Sequence, residues 1–131
     1  MKRQSLVSSL LALVLSACPF DVIRVDQTPV QLDVAAASRP SIELTRDAEV
    51  NVGFGYKRVL RKGTRWTWVG RLTKGDVYRT RDQVLTVEAS NMHEAYIVVD
   101  SGHVVGFYLP VERTFVPIGG PIVAIGFVAV Q

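Results

Sequence analysis

Apolar and polar residues alternate along most of this chain, with a period of two. In Val30-Gln31-Leu32-Asp33-Val34 the apolar residues fall on one face and the polar ones on the other, the mark of a half-buried strand. Phe20 to Val25 shows the same pattern, with Thr28-Pro29 between the two runs. Ala35 to Pro40 is a break of small residues, and Ser41 to Leu44 and Glu49 to Val52 read as further short strands before a bend at Gly53-Phe54-Gly55. Beyond Arg58 the pattern tightens. Strands are predicted at 58–60, 65–69, 77–79 and 84–89, with turns at Lys62-Gly63 and Lys74-Gly75-Asp76. The clearest hairpin joins Tyr96 to Val99 and Val104 to Tyr108 around Asp100-Ser101-Gly102-His103. Past residue 17 no sustained 3.6-residue apolar period occurs, although Ser90 to Glu94 has room for one helical turn. Short strands with Gly-bearing turns predict an all-β fold, a small barrel or a sandwich.

The C-terminus departs from this alternation. Val116 to Val130 contains no charged residue, and Pro117, Gly119, Gly120, Pro121 and Gly126 exclude a membrane helix there. In Ile122 to Val130 both alternating faces are apolar, as in a strand buried on both sides. That fits a central or closing strand of a barrel. It equally fits a strand docked on a partner or lying against lipid.

The N-terminus departs in another way. Lys2 and Arg3 precede ten residues from Leu6 to Leu15 that are apolar apart from two serines. A helix of that length spans roughly 15 Å, half of a bilayer core of about 30 Å, so it suits a signal h-region rather than a membrane span. Leu15-Ser16-Ala17-Cys18 follows, and Cys18 is the only cysteine in the chain. This segment resembles the lipobox of bacterial lipoproteins. The resemblance implies cleavage before Cys18, acylation of its sulfur with palmitate-like chains, and attachment to a membrane of the cell envelope. Two or three acyl chains, at about 0.8 kcal/mol per buried methylene, anchor a protein stably. Pro19 stands where an aspartate would argue for inner-membrane retention, so the outer membrane, facing the periplasm, is favoured where two membranes exist. The expected division is a signal peptide at 1–17, a tether with possible short strands at 18–40, and an all-β domain at 41–131.

With 131 residues and 14.4 kDa, the chain has room for one core. One cysteine excludes an intramolecular disulfide and a Cys-based zinc site. Within the domain, Trp66-Thr67-Trp68-Val69-Gly70-Arg71-Leu72-Thr73-Lys74-Gly75, the Tyr96 to Val99 strand, Gly102 and Gly106-Phe107-Tyr108-Leu109 resemble a bacterial SH3-like domain. Phe107 replaces that family's usual tryptophan, and its Arg-x-Gly-Pro opening is missing around Asn51-Val52-Gly53. The resemblance implies a small barrel that binds cell-wall peptides or proteins without catalysis.

Catalytic motifs are missing: there is no P-loop, Gly-x-Ser-x-Gly or His-Glu-x-x-His. His93 and His103 read as loop and hairpin histidines, and Asp76, Asp82 and Glu88 as turn or outward-facing carboxylates. No enzyme activity, cofactor or metal site is expected. Charge says more. Residues 57–81 hold nine basic side chains and one acid, Asp76, a net of +8 between flanks that are net acidic. Such a band can sit on anionic lipid head groups, lipopolysaccharide or cell-wall polymer. Trp66 and Trp68 share a strand face and can form an aromatic platform beside it or belong to the core. The candidate surface is therefore Arg58, Arg61, Arg65, Trp66, Trp68 and Arg71, with Cys18 the lipidation site. Export disfavours nucleic acid as partner. The expected function is that of a lipid-anchored, non-catalytic binding module for cell-wall or anionic surface components. The alternative is an accessory subunit of an envelope assembly, docking through its apolar C-terminal strand.

Overall fold

The computed structural model describes residues 27–52, 56–88 and 92–130. Cys18, the signal segment, the Phe20 to Val25 run and the Gly53 to Gly55 bend lie outside these residues. Among the described residues there is no helix; thirteen strands run in chain order. They are β1 (Thr28–Pro29), β2 (Ser41–Leu44), β3 (Ala48–Asn51), β4 (Lys57–Leu60), β5 (Arg65–Leu72), β6 (Gly75–Thr80) and β7 (Thr86–Glu88). Then follow β8 (Met92–Glu94), β9 (Tyr96–Asp100), β10 (His103–Leu109), β11 (Thr114–Pro117), β12 (Val123–Ala124) and β13 (Phe127–Val130).

Nine strands form one antiparallel sheet in the order β1-β11-β10-β9-β6-β5-β2-β13, with β12 on β10. Two hairpins, β3–β4 and β7–β8, stand apart as two-stranded sheets. The all-β expectation holds, as a small sandwich. Among the described residues no closed barrel forms: β12 pairs only with β10 and β13 only with β2, so the last segment touches both without completing a ring.

Each face of the main sheet buries its own apolar cluster. The inner one joins Ile42, Leu44, Trp66, Tyr78, Ile97, Val99 and Phe107 to Ala48, Val50 and Leu60 of the first hairpin and Leu85 and Val87 beside and on the second. The outer one joins Leu72, Val77, Val98, Tyr108 and Phe115, and Val30 and Leu32 pack onto it. Two bulges decide which side chain goes where. Between Trp68 and Gly70, and again between Val104 and Gly106, the register shifts by one residue. Past each bulge the residues change face, which is why Trp68 packs on the inner cluster and Leu72 on the outer one although both are even-numbered.

Three expectations need correction. Val30 to Val34 is not a ladder strand: β1 is Thr28–Pro29, and only an isolated Asp33–Arg71 bridge follows. Backbone bonds Asp33 N to Arg71 O (2.8 Å) and Arg71 N to Asp33 O (2.9 Å) pin this segment to β5. Met92 to Glu94 forms a strand, not a helical turn, because it pairs with Thr86–Glu88. Most consequential is the C-terminal segment. It is not buried on both sides: Ile122, Phe127 and Val128 are 55%, 40% and 47% exposed. Its chain kinks at Ile125-Gly126, and β13 becomes an edge strand.

Candidate functional site

The basic band divides into two places. On β5 and β6, Arg65 and Arg79 stand on the face opposite buried Trp66, with Thr67 directly across from Arg79. The Arg81 N–H donates to the Arg65 carbonyl at 3.0 Å and carries the ladder one step further. Gln83 draws in the neighbouring hairpin: its Oε1 accepts from the Arg61 N–H, and its Nε2 donates to the Val59 carbonyl, both at 3.4 Å. Arg61, Arg65, Arg79 and Arg81 therefore gather around one end of the β5–β6 ladder. Arg58 is exposed on β4, across from Val50.

All nine cations from Lys57 to Arg81 are solvent-exposed. Three have acidic partners: Lys57 with Glu49 at 3.1 Å, Arg65 with Glu43 at 3.4 Å, and Arg71 with Asp76 at 3.6 Å. Arg58, Arg61, Lys62, Lys74, Arg79 and Arg81 form no ion pair among the described residues. At an exposed site a pair contributes at most about 1 kcal/mol, so the six unpaired cations have little part in holding the fold.

Arg71 goes elsewhere, because the β5 bulge turns it to the inner face. There it meets Asp76, its ladder partner on β6. Asp76 is a junction for three donors. Its Oδ2 lies 3.0 Å from Arg39 Nε, and its Oδ1 accepts from Trp68 Nε1 at 3.1 Å and faces Arg71 Nε. Gly75 makes the turn into this position possible: its φ is +154°, and a Cβ there would collide with the Val99 carbonyl. Burial, and after it the Asp76 charge, raises the Tyr78 hydroxyl above its ordinary 10.0, with Arg39 pulling the other way. Arg39, Arg71, Gly75, Asp76 and Tyr78 line a cleft of about 430 Å³ that also includes Ile42, Val99, Asp100, Phe127 and Ala129. Two arginines, Arg39 and Arg71, and two aspartates, Asp76 and Asp100, line it, so its formal charges balance.

Of the residues singled out from sequence, Arg61 and Arg65 are brought together, Arg58 lies on the neighbouring hairpin, and Arg71 lines the cleft. Trp66 is fully buried, its indole N–H donating to Thr64 Oγ1 at 3.0 Å, and so has no face to offer a ligand. Trp68 is half-buried beneath Asp76. The two tryptophans share a face, and that face is the core. On the outer face, beside Phe115, Tyr96 and Tyr108 have ring centroids 6.3 Å apart, one step along from Arg79 by the Tyr78–Ile97 register.

A second polar cluster was missed from sequence. His93, on β8 rather than in a loop, meets Glu112 of the β10–β11 turn through Nδ1 and Oε1. His93 Nε2 and Glu112 Oε2 are buried without a hydrogen-bond partner among the described residues. The turn itself is tight, with Arg113 at a φ of 55°. Nineteen residues separate the pair in sequence, and no motif joins them. His103 behaves as expected of a hairpin histidine, its Nδ1 2.8 Å from the Ser101 carbonyl oxygen. Among the described residues no group of three or more His, Cys, Asp or Glu is placed to hold a metal ion. Comparison with protein-family models, with curated proteins and with solved structures gave no match.

Proposed function

We propose that this chain is a lipid-anchored protein of the cell envelope, held through Cys18, that binds anionic surface or cell-wall components with its basic face and performs no catalysis. The observation that carries the reading is that all nine cations of the band project into solvent while six of them form no ion pair among the described residues. Unpaired exposed charges of one sign raise the local concentration of an oppositely charged polymer. The Leu-Ser-Ala-Cys segment supplies the address, the outer membrane facing the periplasm where two membranes exist.

The test uses the full chain in non-ionic detergent, pelleted with purified cell-wall sacculi. The variant Arg58→Glu, Arg61→Glu, Arg79→Glu, Arg81→Glu should lose retention on the sacculi and keep the melting temperature of the parent. Arg65 is left intact because its partner Glu43 would face a second carboxylate. Equal retention of variant and parent would refute the binding face. Fatty-acid labelling tests the anchor: Cys18→Ala should carry no label.

A second reading has its own observation. β13 is an apolar, exposed edge strand, which favours an accessory subunit that docks through its C-terminal strand.

A further inference from the structure

β13 ends the main sheet, and among the described residues nothing pairs with its outer edge. The reason is a mismatch of lengths. β12 runs beside the start of β10, Ile125 N–H donates to the Gly102 carbonyl at 3.0 Å, and there β10 gives way to the 101–102 turn. The last segment continues past that turn as β13, with β2 on one side only.

Its pairing with β2 fixes which backbone groups face outward. Thr45 N–H donates to the Gly126 carbonyl at 2.9 Å, so the hydrogen-bonded pairs on the β2 side alternate from Gly126 to Val128 to Val130. The N–H and C=O groups of Phe127 and Ala129 are left pointing to the open edge. Natural edge strands usually carry a charge or a proline that repels another strand. β13, Phe127-Val128-Ala129-Val130, has neither.

We propose that β13 pairs with β13 of a second copy of this chain, antiparallel, about a twofold axis at Val128. In that register Phe127 of each copy lies opposite Ala129 of the other, and both are residues whose N–H and C=O point outward. All four outward groups of each strand are then satisfied. Phe127 and Ala129 are on the inner face, since they pair with Leu44 and Ile42, so a large side chain meets a small one on both sides of the axis. Val128 meets its own copy on the outer face in a non-hydrogen-bonded pair. The strand carries no charge of its own to set like charges against each other; Arg46 lies beside Gly126 at its start, and Arg39 and Arg71, which line the cleft with Phe127 and Ala129, both face Asp76. Self-complementarity of size, charge and hydrogen bonding favours a second copy over an unrelated strand.

The proposal rests on the second of the two functional readings and names its partner. The test places a cysteine at Val128 or at Val130 in the otherwise natural full chain, held in detergent under mild oxidation. A non-hydrogen-bonded antiparallel pair sets the two Cα atoms about 4.5 Å apart, within disulfide reach. Val128→Cys should give a disulfide-linked dimer, whereas Val130→Cys and the parent with its Cys18 should give little. By sedimentation the parent should have twice the protein mass of the chain, and Val128→Lys the mass of one chain with an unchanged strand-rich spectrum. A monomeric parent, a dimer indifferent to Val128→Lys, or equal crosslinking at Val128 and Val130 would each overturn the pairing. Of these, a monomer whose β13 still captured an envelope protein would leave the docking reading standing without the self-pairing.

Discussion

Replacing Asp76 by Asn removes one charge from the centre of the cleft while keeping the shape of the side chain. The carboxylate accepts the Trp68 N–H at 3.1 Å and faces Arg39 and Arg71. A hydrogen bond to an ionised acceptor contributes about 1.5–3 kcal/mol and one to a neutral amide about 1, so weakening the Trp68 bond costs about 1 kcal/mol. Both arginines are about half exposed, and solvent screening holds each ion pair below about 1 kcal/mol. Asp76→Asn should thus destabilise by about 1–2 kcal/mol, a fall in melting temperature of roughly 5–10 °C for a domain of this size. Thermal unfolding followed by circular dichroism measures it. In a Trp68→Phe background the same change should cost less, since the indole N–H is gone. Tyr78 gives an independent readout. Burial is the first cause of its raised pKa and the Asp76 charge the second, so Asp76→Asn should move its ultraviolet titration to lower pH. An unchanged melting temperature, or a Tyr78 titration that moved upward, would refute this account of the junction.

Further outcomes follow from the same contacts. Trp66→Ala empties the centre of the inner cluster and should cost about 3–5 kcal/mol by urea denaturation, enough to threaten folding. His93→Gln and Glu112→Gln should each cost about 1–2 kcal/mol, and the double variant less than the two together, since both changes break the same contact. Because folding holds Tyr78 protonated above 10.0, its contribution is complete below that pH and is lost as pH rises through the folded value. Stability of the parent should fall on that alkaline limb, and less steeply in Tyr78→Phe.

Much of the fold is legible in the chain, because alternation and glycine turns are local signals. Ser41 to Leu44, Arg58 to Leu60 and the hairpin around Ser101-Gly102 are found close to where they are expected. What alternation does not carry is the bulge. By simple parity Arg65 and Arg71 share a face; one extra residue between Trp68 and Gly70 sends Arg71 to the cleft and Arg65 to the outer surface. Hydrophobicity alone also misplaces β13. An apolar strand reads as buried, yet burial depends on whether a neighbour reaches it, and β10 ends too soon. The His93–Glu112 contact is out of reach for the same reason, being made by tertiary packing of a hairpin on a distant turn.

Binding of an anionic partner by the exposed, unpaired cations of β4 to β6 is the property on which the proposed function turns. Its most direct measurement is the affinity of the detergent-held full chain for purified cell-wall sacculi as salt is raised, with the fourfold Arg58, Arg61, Arg79, Arg81 reversal alongside. Screening lengths shorten to about 8 Å near 0.15 M salt, so binding through exposed charges should weaken steadily across that range. The reversal variant should bind weakly at every salt concentration. Retention that ignores salt and survives the reversal, but is lost on Val128→Lys, would contradict the claim and move the working surface to β13.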